Sequence, residues 1–153
     1  MKLQKYLKKF KLDKLKIKTS YIEADISFKD ADKDAAWELY VELLTRITTQ
    51  SLPNGDGIEK SALDSIYSIF PLTREILKKT GRECGDFAKI SIVVLNQIIR
   101  PFTAKWHKNY EEKMFDKELF RKELRMLQQD IRQYSKLLAD MAGVEDLTDL
   151  ESN

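Results

Sequence analysis

A chain of 153 residues, 42% hydrophobic and 34% charged, can bury one core and has the composition of an ordinary globular domain. Five glycines and three prolines are too few for a many-stranded sandwich or barrel, which needs a turn signal roughly every 8–12 residues, so long helices are expected. One cysteine and one histidine exclude an internal disulfide and a four-ligand zinc site. The net charge of +2 hides a basic head, with eight lysines in residues 1–18, and an acidic end, with five acids and no base in residues 139–153.

The first twelve residues, MKLQKYLKKFKL, set Leu3, Tyr6, Leu7 and Phe10 at helical spacing among lysines. Lys5, Lys8, Lys9 and Lys11 make this arm a candidate anion-binding face for a nucleic-acid backbone or an anionic surface. It carries no arginine, so bidentate phosphate or base contacts are not indicated. No apolar signal-peptide core follows the lysines, and no stretch offers the roughly 20 largely apolar residues of a membrane span, so a cytoplasmic protein with no transmembrane segment is expected. Over residues 14–28 the period changes to two. Leu15 and Ile17, then Ile22, Ala24, Ile26 and Phe28, alternate with polar residues, which predicts one strand or a hairpin turning near Thr19 and Ser20. Such an element is barely stable alone and must pair or pack, and an open edge is a route to self-association.

Four helices are expected next, at about 30–51, 58–80, 86–107 and 116–142. In the first, Trp37, Tyr40, Val41, Leu44, Ile47 and Thr48 form one apolar face, and Glu42 precedes Arg46 by four residues, the favourable order for an ion pair. Residues 52–57, LPNGDG, are the clearest break. Pro71 should kink or split the second helix, and Gly81 ends it. The third helix is apolar nearly all round, the mark of a buried element, with a kink expected at Pro101 and a loop over 109–115. Asp116 caps the fourth, where Phe120, Leu124, Leu127, Ile131, Tyr134, Leu138 and Met141 keep a heptad seam. Helices of matched length joined by short loops predict an all-α fold, an up-down four-helix bundle over 30–142. A basic arm and a short extended or β element precede it over 1–29, and a mobile acidic tail follows over 143–153.

The chemistry on offer is narrow. One histidine rules out the paired Glu-x-x-His motifs of a di-iron bundle, and neither phosphate-binding glycine motif is present, so no metal and no cofactor are expected. Arg100 and His107 are separated by PFTAKW. This spacing resembles the Arg-x(4–6)-His motif of HEPN domains, helical bundles that cleave RNA without a metal. The resemblance implies His107 as acid and base, Arg100 as charge stabiliser and Asn96 orienting the phosphate. The family favours a polar residue after the arginine, where this chain has Pro101. The structural alternative pairs Arg100 with Glu42 and leaves Trp106 and His107 finishing a helix end.

The strings AAWELYVELLTRI (35–47) and RPFTAKWH (100–107), with GVEDLT (143–148), resemble a family of small, uncharacterised bacterial helical proteins. That resemblance implies an accessory or transducing module associated with bacterial conflict and defence systems, and it names no catalytic residue. The expected function is accordingly a non-catalytic, self-associating protein-interaction module acting as an adaptor or transducer. Glu42, Arg46 and Trp106 are its structural polar groups. The alternatives are a HEPN-like ribonuclease using Arg100, His107 and Asn96, and a nucleic-acid-binding accessory protein using the lysine arm.

Overall fold

The computed structural model of the protein describes residues 1–46, 49 and 59–151. Every regular element among them is helical. In chain order these are α1 (Leu3–Lys9), α2 (Thr19–Ile22), α3 (Asp30–Leu44), α4 (Glu59–Tyr67), α5 (Ile69–Thr80), α6 (Gly85–Val94), α7 (Arg100–Glu111) and α8 (Lys117–Ala142). A single π-helical turn, Leu95–Ile99, joins α6 to α7 without a break. The first bundle helix, expected to run to 51, ends at Leu44, where Thr45 leaves helical geometry (φ −104°, ψ 8°). The expected break at 52–57, the helix start at 58, and the inward placement of Ile47 and Thr48 lie outside the described residues.

The longest helix follows its sequence pattern closely. Asp116 Oδ1 accepts the Leu119 N–H at 3.1 Å, Gly143 ends the helix in the left-handed region at φ +71°, and every residue of the heptad seam is buried. α3 packs along α8 and also meets α5 and α6. Its buried stripe is Asp32, Ala35, Ala36, Leu39, Tyr40 and Leu43. Trp37 and Val41, expected inside, are exposed. The buried stripe is instead built on Ala35 and Ala36, both fully buried, small residues that let a helix pack closely on its neighbours.

Two prolines act in different ways. Pro71 is the third residue of α5, where its missing N–H costs no helical bond, and the helix splits one step earlier at Ser68. Pro101 does not interrupt the helical chain of α7. Arg100 keeps helical angles (φ −58°, ψ −44°), and the mismatch is absorbed by the wider π turn just before it. The helix then continues to Glu111, so the loop expected over 109–115 begins three residues late, at Glu112.

The segment 14–28 forms no strand. It is irregular chain with one helical turn, α2, and the sole bridge among the described residues is an antiparallel one between Lys2 and Asp25. Its alternation reflects a chain lying across an apolar surface, with Leu15 and Ile26 inward and the lysines outward. The arm before it is folded onto the body through Leu3, Tyr6, Leu7 and Leu12. Tyr6 Oη lies 2.9 Å from Asp140 Oδ2 and 3.1 Å from the Leu137 carbonyl. Burial, reinforced by Asp140, pushes this phenol well above its ordinary range and keeps it protonated.

The acidic tail is docked. Tyr40 Oη accepts the Leu147 N–H at 2.6 Å, Thr148 is buried, Arg132 holds the Thr148 carbonyl and the Asp149 carboxylate, and Lys136 reaches Asp149 at 2.7 Å. Charge therefore ties the tail to α8, and among the described residues only Asp140 of the acidic end pairs with a lysine of the basic head, Lys9 at 3.5 Å.

Buried Asp32 fixes α3 against α6. Its Oδ2 accepts the Lys29 N–H at 3.0 Å, closing the start of α3, and its Oδ1 accepts the Phe87 N–H at 2.9 Å, closing the start of α6. Asp32→Ala would strand both donors, and a loss of about 2–4 kcal/mol is expected in urea unfolding, with Asp32→Asn recovering only part because its amide nitrogen cannot accept. Glu59, 4% exposed, ties α4 to α8 through Arg121 at 2.8 Å, with Lys117 at 4.0 Å. Burial raises its carboxyl, but the Arg121 hydrogen bond and the Lys117 charge outweigh this and hold it below the ordinary 4.5. A carboxylate depressed in the folded state stabilises above its unfolded pKa, and that stabilisation is lost as pH falls through the folded value. Thermal melts should therefore drop as pH falls below about 4.5, with a shallower fall in Glu59→Gln.

Candidate docking groove

Arg100 and His107 lie two helical turns apart on one side of α7, and that side faces α4 and α5. The Arg100 guanidinium sits 4.6 Å from the centre of the Phe70 ring, and its Nε donates to Asn96 Oδ1 at 3.2 Å. His107 Nε2 is 3.6 Å from Asp64 Oδ1, and its ring meets Tyr67 edge-on at 5.1 Å. Each group is thus held by a different residue of the neighbouring helices. Arg100 does not pair with Glu42. That carboxylate belongs to Arg46, with Nε at 3.1 Å and Nη2 at 2.8 Å, and Arg46 Nη1 also donates to Ser68 Oγ at 2.7 Å, bracing the split between α4 and α5. Trp106 is fully buried among Phe102, Phe115 and Phe120, and its Nε1 donates to Glu123 Oε2 at 2.7 Å. An indole in the core needs such a partner.

The arm lysines take the outer side of α1 and the turn after it. Lys5, Lys8 and Lys11 are exposed, and Lys9 is shared with Asp140. Lys8 and Lys9 fall in the last turn of α1, where positive charge is favourable.

The feature with the shape of a binding site lies elsewhere. A groove of about 400 Å³ runs between the chain at Lys16–Lys18, α2 and the outer face of α6. Its floor is apolar: Leu3, Ile17, Tyr21, Ile92 and Val93. Tyr21 is 51% exposed and Ile92 is 49% exposed, so both large side chains offer uncovered apolar surface to it. Its rim is basic: Lys16, Lys18 and Lys89. Lys89 leans on Asp86 at 3.1 Å, whereas Lys16 and Lys18 make no ion pair among the described residues.

One wall of the groove is set by a single side chain. Gln97, in the π turn, accepts the Lys16 N–H at 2.8 Å and donates to the Lys16 carbonyl at 2.7 Å. Both backbone groups of Lys16 are thereby fixed, and the neighbouring N–H and C=O of Ile17 have no partner among the described residues. Tyr21, Ile92 and Gln97 were not singled out by the sequence pattern. The available signal was the third helix being apolar all round, since a helix with no polar side leaves something apolar uncovered unless every side is packed.

No family model, curated protein or solved structure matches the chain.

Gln97→Ala removes both hydrogen bonds to Lys16, worth about 1 kcal/mol each. Amide exchange in residues 15–18 should quicken by about tenfold to a hundredfold while the seam of α8 keeps its protection; hydrogen–deuterium exchange read by mass spectrometry checks this.

Proposed function

We propose that the protein is a non-catalytic helical interaction module that self-associates, acting as an adaptor or transducer, and that the groove between α2 and α6 is its docking face. The observation carrying this reading is the pairing of uncovered Tyr21 and Ile92 with two lysines, Lys16 and Lys18, that make no ion pair among the described residues. Apolar surface inside a charged rim is the anatomy of a protein contact, in which the apolar centre contributes affinity and the charges select the partner. In this reading the four helical segments form an up-down bundle that works in the cytoplasm. The strings at 35–47 and 100–107 fit a module of bacterial conflict or defence systems.

Arg100 and His107 lend less support to the ribonuclease alternative. Catalysis there would need both groups aimed at one phosphate, and here the guanidinium lies over Phe70 while the imidazole meets Asp64 and Tyr67. The nucleic-acid alternative rests on Lys5, Lys8 and Lys11, exposed lysines that a solvated helix face would carry equally well.

Sedimentation of the full chain should show mass rising with protein concentration, and falling with added salt because exposed charges are screened beyond about 8 Å at physiological ionic strength. Ile92→Asp, on the groove floor, should hold the chain as monomer with an unchanged melting profile. A wild-type chain that remains monomeric throughout would exclude self-association.

A further inference from the structure

We infer that the groove takes the C-terminal segment of a second copy of this chain, with Leu150 entering the apolar floor and Glu151 meeting the lysine rim. This rests on the groove being the docking face, and it names the occupant.

The tail has the complementary composition. Leu150 is 75% exposed, and Val144 and Leu147 are also uncovered. Glu145 and Glu151 are exposed and have no partner among the described residues. The other tail acids are occupied: Asp146 accepts from Tyr40 and Thr148, and Asp149 is held by Arg132 and Lys136. The chain thus fixes the base of the segment and leaves its apolar tip and two carboxylates outward. A segment already folded loses little freedom on docking, so its contacts are not spent on ordering it.

The groove matches on three counts. Its volume of about 400 Å³ admits a leucine side chain with flanking backbone. Lys16 and Lys18 supply the opposite charge, and the Ile17 N–H, without a partner among the described residues, is a further donor in the same stretch of chain for a carboxylate. Within one chain the two surfaces share no lining residue: Leu150 and Glu151 border a separate cavity with Leu44, Thr45 and Arg132, at the C-terminal end of α3. The contact therefore joins different patches on two copies, and such head-to-tail association continues into rings or chains.

The test uses sedimentation of the full chain and two surface variants, Lys18→Glu and Leu150→Asp, each checked by thermal melting. Each variant alone should associate at least about tenfold more weakly than wild type, a change of about 1.4 kcal/mol. An equimolar mixture should form a one-to-one complex and grow no further, because only the groove of one variant and the tail of the other remain intact. Association that Leu150→Asp leaves unchanged, or a mixture that stays monomeric while wild type associates, overturns this assignment and gives the groove to another occupant, with self-association intact. A wild-type chain that never associates removes the self-association reading itself.

Discussion

A carboxylate held away from water must be satisfied by hydrogen bonds, and Asp32 is satisfied by the first turns of two helices. Each helix start leaves N–H groups without intrahelical partners and carries partial positive charge. By taking one N–H from the start of α3 and one from the start of α6, Asp32 turns two separate capping problems into one joint. The joint sets where α6 begins relative to α3, and α3 in turn lies along α8. From there the positions of the π turn, of Gln97 and of the groove wall follow along one continuous helical rod.

The groove is assembled from parts that share no local pattern. Ile17 and Tyr21 come from the irregular chain after the arm, Ile92 and Val93 from α6, and Leu3 from the first helical turn of the chain. What brings them together is the arm folding back onto the body, anchored by Tyr6 on the end of α8 and by Gln97 on Lys16. The basic head thus serves the fold through its apolar residues and leaves its lysines at the surface. Likewise the acidic tail spends Asp146 and Asp149 on docking and leaves Glu145 and Glu151 outward.

Helix α8 was legible because large apolar residues at regular spacing leave only one face to bury, and Asp116 and Gly143 mark its ends with side-chain and backbone chemistry. α3 was misread in its phase because its buried stripe is built on Ala35 and Ala36, whose small apolar side chains carry little weight in a pattern of large hydrophobic residues. The alternation over 14–28 was read as a strand because period two reports sidedness, and a chain stretched across an apolar surface has the same sidedness as a strand. The Gln97–Lys16 clamp spans 81 positions, and nothing near either residue marks it. Arg100 and His107 stood out by spacing alone, and that spacing places them on one side of α7, where each meets a different neighbour.

The π turn settles a matter of angular phase. Phe87 near the start of the rod and Trp106 near its end are both fully buried, although 19 positions separate them. In an unbroken α-helix, at about 100° per residue, that separation overshoots five full turns by about 100°. The two rings would point to different sides. The π turn takes one additional residue into a single loop of the helix and removes about that excess. One surplus residue lets a continuous helical rod present aromatic anchors near both ends to the same core.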